Sequence, residues 1–535
     1  MHHTRRSLLQ AGLITSVVAA ANPWIPDARA DVPDFELDEK TIAQLQEGMK
    51  SGEYSARSLT EKYLARIEQI DKDGPKVNSV IEVNPDAVSI ADELDRERKE
   101  KRPRGPLHGI PVLIKDNIAT ADRMMTTAGS LALLNSHPPK DSGVAQKLRQ
   151  AGAVILGKTN LSEWANIRSS HSSSGWSGRG GQTKNPYCLD RNPCGSSSGS
   201  GAAASANLCA IAVGTETDGS VICPSSANGL VGIKPTLGLI SRACIIPIAH
   251  SQDTAGPMCR TVADAATLLT ALAGEDPRDA ATNEGHGKIP PDYTKFLDPN
   301  ALKGARLGVA RKYFGFSDDV DKLMNASIEE LKKLGAVIVD PADLPTHGKF
   351  DDSEFEVLLF ELKTDLNAYL ATLGPDAPVK SLKDIIDFNE KNKEKEMPWF
   401  GQDILIKAEA KGPLTTKAYV DALAKNHKLS RTEGIDAIMN QHKLDAIIAP
   451  AGAPAWITDW INGDHSIGGS SNAAAVAGYP NITVPAGYVH GLPVGISFFG
   501  KAWSEPKLIA LAYSFEQATQ ARKTPKFLAT ADLST

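Results

Sequence analysis

Short apolar runs bounded by glycine alternate with a helical pattern in the middle of this chain, and this alternation limits the folds it can adopt. Strand-like runs occupy residues 110–115, 154–157, 211–214 and 232–234, and a helical pattern occupies residues 144–150. A run that is apolar at successive positions is typical of a strand buried on both faces, since side chains alternate across a sheet. The sequence therefore predicts an α/β fold in which helices cover both faces of a central mixed β-sheet.

Helical patterns precede this region. Apolar residues recur at helical spacing from Leu59 to Ile70, and Ser58 with Glu61 predicts the capping box that begins this helix. A second helix is predicted over residues 86–101 and ends in a charged run of mixed sign. The N-terminal region is therefore predicted to be helical.

The C-terminal half is predicted to be mostly helical, with a few strands. A helix-rich section spans residues 318–436 around a strand at 337–339, and two later strands are predicted at 446–449 and 494–499. No internal repeat and no clear linker divides the mature chain, so we expect one large domain over residues 31–535. Its expected parts are N-terminal helices, a core and a C-terminal part, at residues 36–104, 105–275 and 276–535.

The N-terminus has the layout of an export signal. Arg5 and Arg6 precede an apolar stretch at residues 8–21, and the motif Ala-Arg-Ala follows at residues 28–30. This layout predicts a twin-arginine signal over residues 1–30, so we expect an exported protein, periplasmic or secreted. The stretch is too short to span a bilayer well, so no stable membrane insertion is expected; a retained anchor is the alternative.

The charge balance limits the classes of partner. The chain has 58 Lys and Arg residues against 64 Asp and Glu residues, for a formal net charge of −6. Nucleic-acid binding usually requires a basic surface, so we expect no nucleic-acid partner. The phosphate-binding pattern G-x-x-x-x-G-K-[ST] does not occur in the sequence. The oligomeric state is left open.

The six cysteines all lie between Cys188 and Cys259. No two of them have C-x-x-C spacing, so neither a zinc site nor a redox motif is predicted. We expect most of them to be buried thiols that pack as small hydrophobic side chains. Because export permits disulfides, Cys188 and Cys194 are the first pair to test.

Two clusters of glycine and serine, at residues 195–201 and 218–220, flank a small-residue segment at 202–212 that is predicted to be buried. Glycine lets backbone N–H groups approach a ligand closely, and serine supplies a nucleophilic oxygen. Upstream, Lys115 ends a predicted strand. It is either a surface lysine at a strand end or a lysine in a dry pocket, where desolvation favours the neutral amine and makes it a base. The combination indicates acyl transfer without a catalytic histidine.

Two common motifs occur in the same block. Residues 195–199 match the G-x-S-x-G elbow of a Ser-His-Asp hydrolase, with Ser197 as nucleophile, and residues 199–204 match the dinucleotide-binding pattern G-x-G-x-x-A. Both motifs need a strand directly before them, whereas residues 190–194 are predicted to form a loop. The sequence therefore favours neither motif, and no cofactor or metal is expected. The nearest histidines are predicted to be structural or rim residues: His108, His171 and His250.

Longer strings in and around this block carry a family resemblance. They are GSSSGSGAAASANL, GTETDGSVICP and GLVGIKPTLGLISR, together with HGIPVLIKDNI around Lys115. With these strings the chain resembles the amidase signature family, the Ser–cis-Ser–Lys amidases, and within it the bacterial peptide-amidase branch. The resemblance extends over residues 42–518, nearly the whole mature chain.

The resemblance implies a role for each residue that matches the family's motif. Ser220 corresponds to the nucleophile that forms the acyl bond, Ser196 to the bridging serine after a cis peptide bond, and Lys115 to the base. The oxyanion hole corresponds to backbone N–H groups of four residues: Thr217, Asp218, Gly219 and Ser220. Three residues stand where many members have glycine: Cys194, Ser198 and Asp218.

The resemblance also implies an activity, the hydrolysis of carboxamide C–N bonds through a serine acyl-enzyme. The expected substrate is a small-molecule or peptide amide, with the C-terminal amide of a peptide preferred and ammonia released. An aryl, fatty or aliphatic amide hydrolase of the same family is an alternative. A glutamine amidotransferase subunit is disfavoured by the export signal. From other classes, a non-catalytic binding protein that retains the fold and a Ser-His-Asp hydrolase centred on Ser197 are kept as alternatives.

Overall fold

An eleven-stranded mixed β-sheet forms the centre of this computed structural model, which describes residues 32–375 and 377–533. Two further strands, Trp176–Ser177 and Gly181–Gln182, pair with each other outside this sheet. The strands in chain order are β1 (Val80–Val83), β2 (Pro111–Lys115), β3 (Val154–Thr159), β4 (Trp176–Ser177), β5 (Gly181–Gln182), β6 (Ile211–Glu216), β7 (Val231–Lys234), β8 (Thr254–Cys259), β9 (Arg306–Val309), β10 (Val337–Val339), β11 (Ala446–Pro450), β12 (Asn481–Val489) and β13 (Leu492–Phe499). The strand order in the large sheet is β1-β3-β2-β6-β8-β7-β12-β13-β11-β9-β10.

Strand β2 lies between β3 and β6 and runs parallel to both of them. Lys115 pairs with Thr159 of β3, and Ile114 pairs with Val213 of β6. The carboxyl ends of these three strands therefore meet at one edge of the sheet, which is where open α/β sheets bind their ligands. Lys115 and Glu216, the last residues of β2 and β6, both lie at this edge.

Helices make up most of the regular secondary structure of the described residues. In chain order the α-helices of the described residues are α1 (Ile42–Ser51), α2 (Ala56–Arg66), α3 (Ala87–Glu100), α4 (Gly143–Gln150), α5 (Ser198–Ser205), α6 (Ile222–Ala227), α7 (Val262–Leu272), α8 (Asp318–Lys333), α9 (Asp351–Ala371), α10 (Leu382–Lys391), α11 (Lys393–Glu396), α12 (Asp403–Glu409), α13 (Lys417–His427), α14 (Asp436–His442), α15 (Asn472–Ala477) and α16 (Glu505–Thr519). They confirm a single large α/β domain with a mixed central sheet.

Both faces of the sheet are covered, as strand β7 illustrates. The α-carbon of Gly232 faces α6 so closely that a Cβ there would lie 2.3 Å from Ser225 Oγ. Its neighbours Val231 and Ile233 point to the opposite face, since side chains alternate along a strand. They belong to the main hydrophobic core, which also contains Leu269 of α7. Helices α6 and α7 therefore lie on opposite faces of the same strand.

Helix α2 begins one turn earlier than predicted. Its N-cap is Ser55, and the hydroxyls of Ser55 and Ser58 bond reciprocally to each other's backbone N–H groups. The predicted capping box of Ser58 and Glu61 is therefore wrong, because Ser58 itself occupies the third helical position. Glu61 instead pairs with Arg57 at 2.8 Å on the exposed face.

Other predicted elements differ in extent. The small-residue segment predicted at 202–212 is divided, since α5 ends at Ser205 and β6 begins at Ile211. Six strands lie outside the predicted ones: β1, β4, β5, β8, β9 and β12. In β8 the sequence TAGPMC contains Gly256 and Pro257, residues that argue against a central strand, yet β8 lies between β6 and β7.

Within the described residues, no helix is both long and apolar enough to cross a bilayer. The predicted export signal over residues 1–30 lies outside the described residues.

Candidate active site

Lys115 is delivered to the sheet edge by β2, every residue of which is buried. Its Nζ lies 2.7 Å from Ser196 Oγ, 2.9 Å from Thr215 Oγ1 and 3.2 Å from the Thr215 carbonyl oxygen. Its side chain has no exposed surface, and this burial lowers the pKa of Lys115 to about 7. A large share of the amine is therefore neutral near neutral pH and able to accept a proton.

Ser196 lies in the loop that leads into α5, and the Gly195–Ser196 peptide bond is cis. A Cβ on Gly195 would lie 2.2 Å from Ser162 Oγ, so a larger residue there would displace the Ser162 side chain. The backbone N–H of Ser162 donates to the Ser196 carbonyl oxygen at 3.1 Å. Ser196 is 1% exposed, so its hydroxyl meets Lys115 out of contact with bulk water.

Ser220 lies in the turn between β6 and α6. The two residues after Ser220 are bound to Glu216: one of its carboxylate oxygens accepts hydrogen bonds from the backbone N–H groups of Val221 at 2.7 Å and Ile222 at 2.9 Å. The Ser197 N–H donates to the Ser220 carbonyl oxygen at 3.2 Å, which joins the two serine loops. The turn is thus fixed from both of its ends, and Ser220 is 8% exposed.

The backbone N–H groups of residues 217–220 have no hydrogen-bond acceptor among the described residues. Buried backbone donors are nearly always paired, so a run of unpaired ones is a binding feature. Gly219 has φ 75°, a left-handed conformation that orients this run, and a Cβ there would lie 2.9 Å from Ser471 Oγ. The turn is therefore able to donate to an anionic oxygen beside Ser220.

Side chains from distant parts of the chain hold Thr217 in place. The Thr217 hydroxyl donates to Asp253 Oδ1 at 2.6 Å, and Gln252 Nε2 donates to the Thr217 carbonyl oxygen at 3.2 Å. Burial raises the pKa of Asp253 to about 6. A negative charge on Asp253 favours the ammonium form of Lys115, in opposition to burial.

The Asp218 carboxylate is bound by side chains from a distant part of the chain. Ser471 Oγ donates to it at 2.6 Å, and Asn472 Nδ2 bridges Asp218 at 3.2 Å and Glu354 at 2.5 Å. Burial raises the pKa of Asp218, and burial together with the Asp218 charge raises the pKa of Glu354 well above its usual range. The pair therefore retains a proton to higher pH than exposed carboxyl groups do.

A cavity of about 180 Å³ adjoins these groups. Asn117, Thr215 and Thr217 line the side next to the site, and residues 245–248 form an apolar wall. Titratable side chains complete the lining: Arg242, His250, Asp253, Arg278, Asp279 and Asp365. Asn117 donates to Thr215 Oγ1 at 3.0 Å, whereas its own Oδ1 has no partner in the described part of the chain. The cavity therefore meets the site at the threonine that contacts Lys115 and at the turn before Ser220.

A family model described as amidase matches residues 58–509. The chain belongs to the amidase family. This amidase is 44% identical to a probable amidase from Arabidopsis thaliana, over 98% of its own length and 97% of the relative's. It superimposes with a TM-score of 0.88 on the native peptide amidase from Stenotrophomonas maltophilia, at 50% identity over 92% of this chain and all of the other. A peptide amidase in complex with the competitive inhibitor chymostatin gives 51% identity, the same coverage and a TM-score of 0.88.

The residues predicted for the site come together in this amidase. Lys115 and Ser196 are in direct contact, and Ser220 and the turn at 217–220 adjoin the Ser196 loop. The sequence did not identify three further residues of the site. Thr215 contacts Lys115, Glu216 holds the Ser220 turn, and Asp253 holds Thr217. Glu216 carried a local signal, an acidic residue that ends an apolar run, whereas Asp253 carried none, since its partner is 36 positions away.

The Ser-His-Asp interpretation of this amidase has no support in the geometry. Ser197 Oγ donates to the Thr215 carbonyl oxygen at 2.9 Å and accepts from the Thr215 N–H, so it acts as a backbone tie. His108 contacts the Leu94 carbonyl oxygen, and His250 contacts Asp365 on the cavity rim. No histidine contacts Ser197 among the described residues.

One group of side chains has the composition of a metal site. His250, Glu361 and Asp365 place their ligand atoms within 4.8 Å of one another, the one such group among the described residues. These atoms already have protein partners: His250 Nδ1 lies 2.8 Å from Asp365, and Tyr419 donates to Glu361 at 2.7 Å. Hydrogen bonding accounts for this group without an ion.

The disulfide bond of the amidase joins a different pair of cysteines from the one that the sequence suggested for testing. Cys194 bonds to Cys223, and Cys188 is a free, buried thiol, so the pairing of Cys188 with Cys194 is wrong. The sequence could not indicate Cys223, because only the fold brings α6 beside the Ser196 loop. The expectation that most cysteines are thiols is confirmed by four free ones: Cys188, Cys209, Cys244 and Cys259.

Proposed function

We propose that this amidase hydrolyses the C-terminal carboxamide of peptides, with Ser220 as nucleophile, Ser196 as proton relay and Lys115 as base. The observation that carries the proposal is the 2.7 Å contact between Lys115 Nζ and Ser196 Oγ, at a lysine with no exposed surface. A buried amine with pKa about 7 is matched to proton transfer near neutral pH.

In the acylation step, neutral Lys115 takes the Ser196 hydroxyl proton while Ser196 takes the proton of Ser220. Ser220 Oγ then attacks the carboxamide carbon and forms a tetrahedral intermediate. The unpaired N–H groups of residues 217–220 stabilise its oxyanion, and one such donor typically contributes on the order of 3 kcal/mol. The relay returns the proton to the leaving nitrogen, and ammonia departs.

In the deacylation step, water replaces ammonia at the same position. The relay removes a proton from the water as it attacks the acyl-enzyme carbonyl, and the same donors stabilise the second oxyanion. Collapse of the intermediate breaks the bond to Ser220 Oγ, which regains its proton, and the free carboxylic acid leaves. No step requires a group from outside the chain except water.

The cavity beside the turn supports an acyl group of substantial size. Ammonia is small, so a space of about 180 Å³ is far larger than the leaving group needs. Its apolar wall at residues 245–248 suits a hydrophobic side chain on the residue that bears the amide. The identity with a peptide amidase, 50% over 92% of this chain, supports a peptide as the substrate. We also propose that the protein acts after export, as the sequence of residues 1–30 suggests.

The test is ammonia release from an N-acylated dipeptide amide. Wild type is expected to release ammonia, and Ser220→Ala is expected to lose at least about 10⁴-fold in kcat/KM, since no other group can form the acyl bond. Ser225→Ala is the matched control, because Ser225 lies in α6 and its hydroxyl has no partner among the described residues. Equal rates for wild type and Ser220→Ala would contradict the proposal.

The same assay compares substrates. We expect the peptide amide to exceed aryl, fatty and short aliphatic amides in kcat/KM. A preference for an aryl, fatty or short aliphatic amide would leave the proposed mechanism unchanged but would contradict the peptide amide as the substrate. A chain that binds peptide amides without any turnover would instead be a binding protein.

A further inference from the structure

A disulfide bond joins the two loops that carry the catalytic serines. Cys194 precedes Ser196 by two residues, and Cys223 follows Ser220 by three, as the numbering shows. The Cys194–Cys223 bond spans 6.0 Å between α-carbons and closes a loop over 29 positions. The segment closed by the disulfide contains the relay serine Ser196, α5, β6 and residues 217–220, which we call the nucleophile turn.

Both cysteines are tightly connected to their own loops. The Cys194 N–H donates to Asn192 Oδ1 at 2.8 Å, and its carbonyl oxygen accepts from Ser198 Oγ at 2.6 Å. The Cys223 N–H donates to the Gly219 carbonyl oxygen at 2.7 Å, within the nucleophile turn itself. A displacement of either sulfur would therefore shift the backbone beside a catalytic serine.

The nucleophile turn has few direct backbone hydrogen bonds to the Ser196 loop, although side chains hold its other parts. Its four N–H groups must stay unpaired to serve as oxyanion donors, so they are not available to fix the turn in place. Glu216 fixes the far side, through Val221 and Ile222. Towards the Ser196 loop, the direct backbone tie is the single 3.2 Å bond from Ser197 to Ser220.

We propose that Cys194 and Cys223 are positioning residues, and that their disulfide fixes the separation of Ser196 and Ser220 required for proton transfer. The proposal rests on the proposed function. Amidase activity is then thiol-sensitive and requires an oxidised protein. A misplacement of reacting groups by about 1 Å can cost on the order of 100-fold in rate, so the loss of this bond affects kcat.

Reduction by dithiothreitol has a defined course. One thiolate of the reagent attacks Cys223 Sγ, since Cys223 is the more exposed of the two residues, and Cys194 leaves as a thiolate that takes a proton. The second thiol of the reagent then displaces Cys223 and closes a cyclic disulfide. The protein gains two electrons and two protons as two thiols, and the reagent loses the same number.

The test uses the full chain with Cys194→Ser/Cys223→Ser, and Cys188→Ala as the control that removes a free thiol. We expect kcat on the peptide amide to fall by at least about tenfold in the double variant, with KM within about twofold. Dithiothreitol should produce the same fall in wild type, and reoxidation should restore kcat. Cys188→Ala should match wild type with and without the reagent, because Cys188 lies in a separate apolar cluster.

Near-ultraviolet circular dichroism at each step separates positioning from folding. A fall in kcat with a native spectrum supports the proposal. A kcat within about twofold of wild type in the double variant overturns it, and so does a loss of activity that only accompanies loss of the native spectrum. A wild type that releases no ammonia while oxidised would instead contradict the proposed function, which keeps the two failures distinct.

Discussion

The catalytic floor and the outer segments of this amidase are built in opposite ways. We define the floor as Lys115 with residues 195–200 and 215–223, and the outer segments as residues 351–409 and 452–471. The floor consists of small residues in close backbone contact, and Lys115 and Ser196 are 0% and 1% exposed. The outer segments carry large apolar side chains at the surface, with Ile461 79% exposed.

The outer segments nevertheless contact the floor, and residues next to it, through polar side chains. Ser471 donates to Asp218, Glu354 accepts from Gln252, and Asp464 accepts from Ser174 beside the Ser196 loop. The comparison teaches that the reacting groups lie in a tightly packed, buried floor, whereas the outer segments surround that floor and contact it through polar side chains. Substitutions in the floor should therefore act on turnover or on packing, and those in the outer segments should have smaller effects.

After the loss of the nucleophile Ser220, the largest effect is expected when Lys115 is replaced. Lys115→Met removes the base while it fills the same buried space, so kcat/KM should fall by about 10³-fold. Lys158→Met is the matched control, since Lys158 is also fully buried but contacts Ile118 and Thr126 rather than a serine. Steady-state ammonia release per folded enzyme measures both. Equal losses in the two variants would mean that the loss does not depend on the contact between Lys115 and Ser196.

Packing of the floor gives the next largest effect. A Cβ at Gly199 would lie 2.3 Å from the Ser79 carbonyl oxygen and 2.5 Å from that of Asn160, so Gly199→Ala forces backbone apart. We expect the free energy of unfolding to fall by about 3 kcal/mol. In the outer segments, a Cβ at Gly401 would have no atom within 4 Å, so Gly401→Ala should change the free energy of unfolding by less than about 0.5 kcal/mol. Chemical denaturation measures the free energy of unfolding of both variants. Equal losses of stability would contradict the distinction between a tightly packed floor and loosely packed outer segments.

The pH dependence of stability tests a contact between the outer segments and the core. Burial and the nearby Glu163 carboxylate raise the pKa of Glu396 to about 8. Between its ordinary value and this value the folded state holds a proton that the unfolded state has lost, so stability falls as pH rises through that window. The slope is at most about 1.4 kcal/mol per pH unit for one proton.

Glu396→Gln should therefore flatten the dependence, because glutamine does not titrate. Glu394→Gln, on the exposed side of the same helix, should keep the wild-type slope. Unfolding midpoints at a series of pH values between about 5 and about 8 measure both variants. Identical slopes in wild type and Glu396→Gln would show that Glu396 is ionised throughout.

The smallest effect is expected at the surface of the outer segments. Trp399 and Trp460 stack with ring centroids 4.9 Å apart, and Trp460 Nε1 donates to Gln182 at 2.9 Å. Trp399→Ala should cost about 1 kcal/mol of stability or less and leave kcat on a small amide within about twofold. Trp460→Phe keeps the stack and removes the Gln182 bond. A tenfold loss of kcat in Trp399→Ala would assign the outer segments a part in the chemistry.

The floor could be predicted from sequence because its features are local. A few consecutive residues are enough to recognise the lysine at the end of an apolar strand, and the same holds for the Gly-Ser clusters. The family resemblance then implied a role for each of them. The contacts of Asp253, Glu354 and Cys223 could not be predicted in this way, since sheet register and helix packing bring their partners together. Strand β8 was missed for a related reason: its burial depends on β6 and β7 rather than on its own pattern.

The central claim is that neutral Lys115 drives acylation through Ser196, and the pH dependence of the acylation rate tests it most directly. Single-turnover measurements with an N-acylated peptide amide, which has no titrating group in the range, would cover about pH 5.5 to about pH 8.5. The neutral fraction of Lys115 grows with pH, so the rate should rise about tenfold per unit below the pKa of about 7 and level off above it. A rate that is flat across this range, or the same rise in Lys115→Met, would contradict the account.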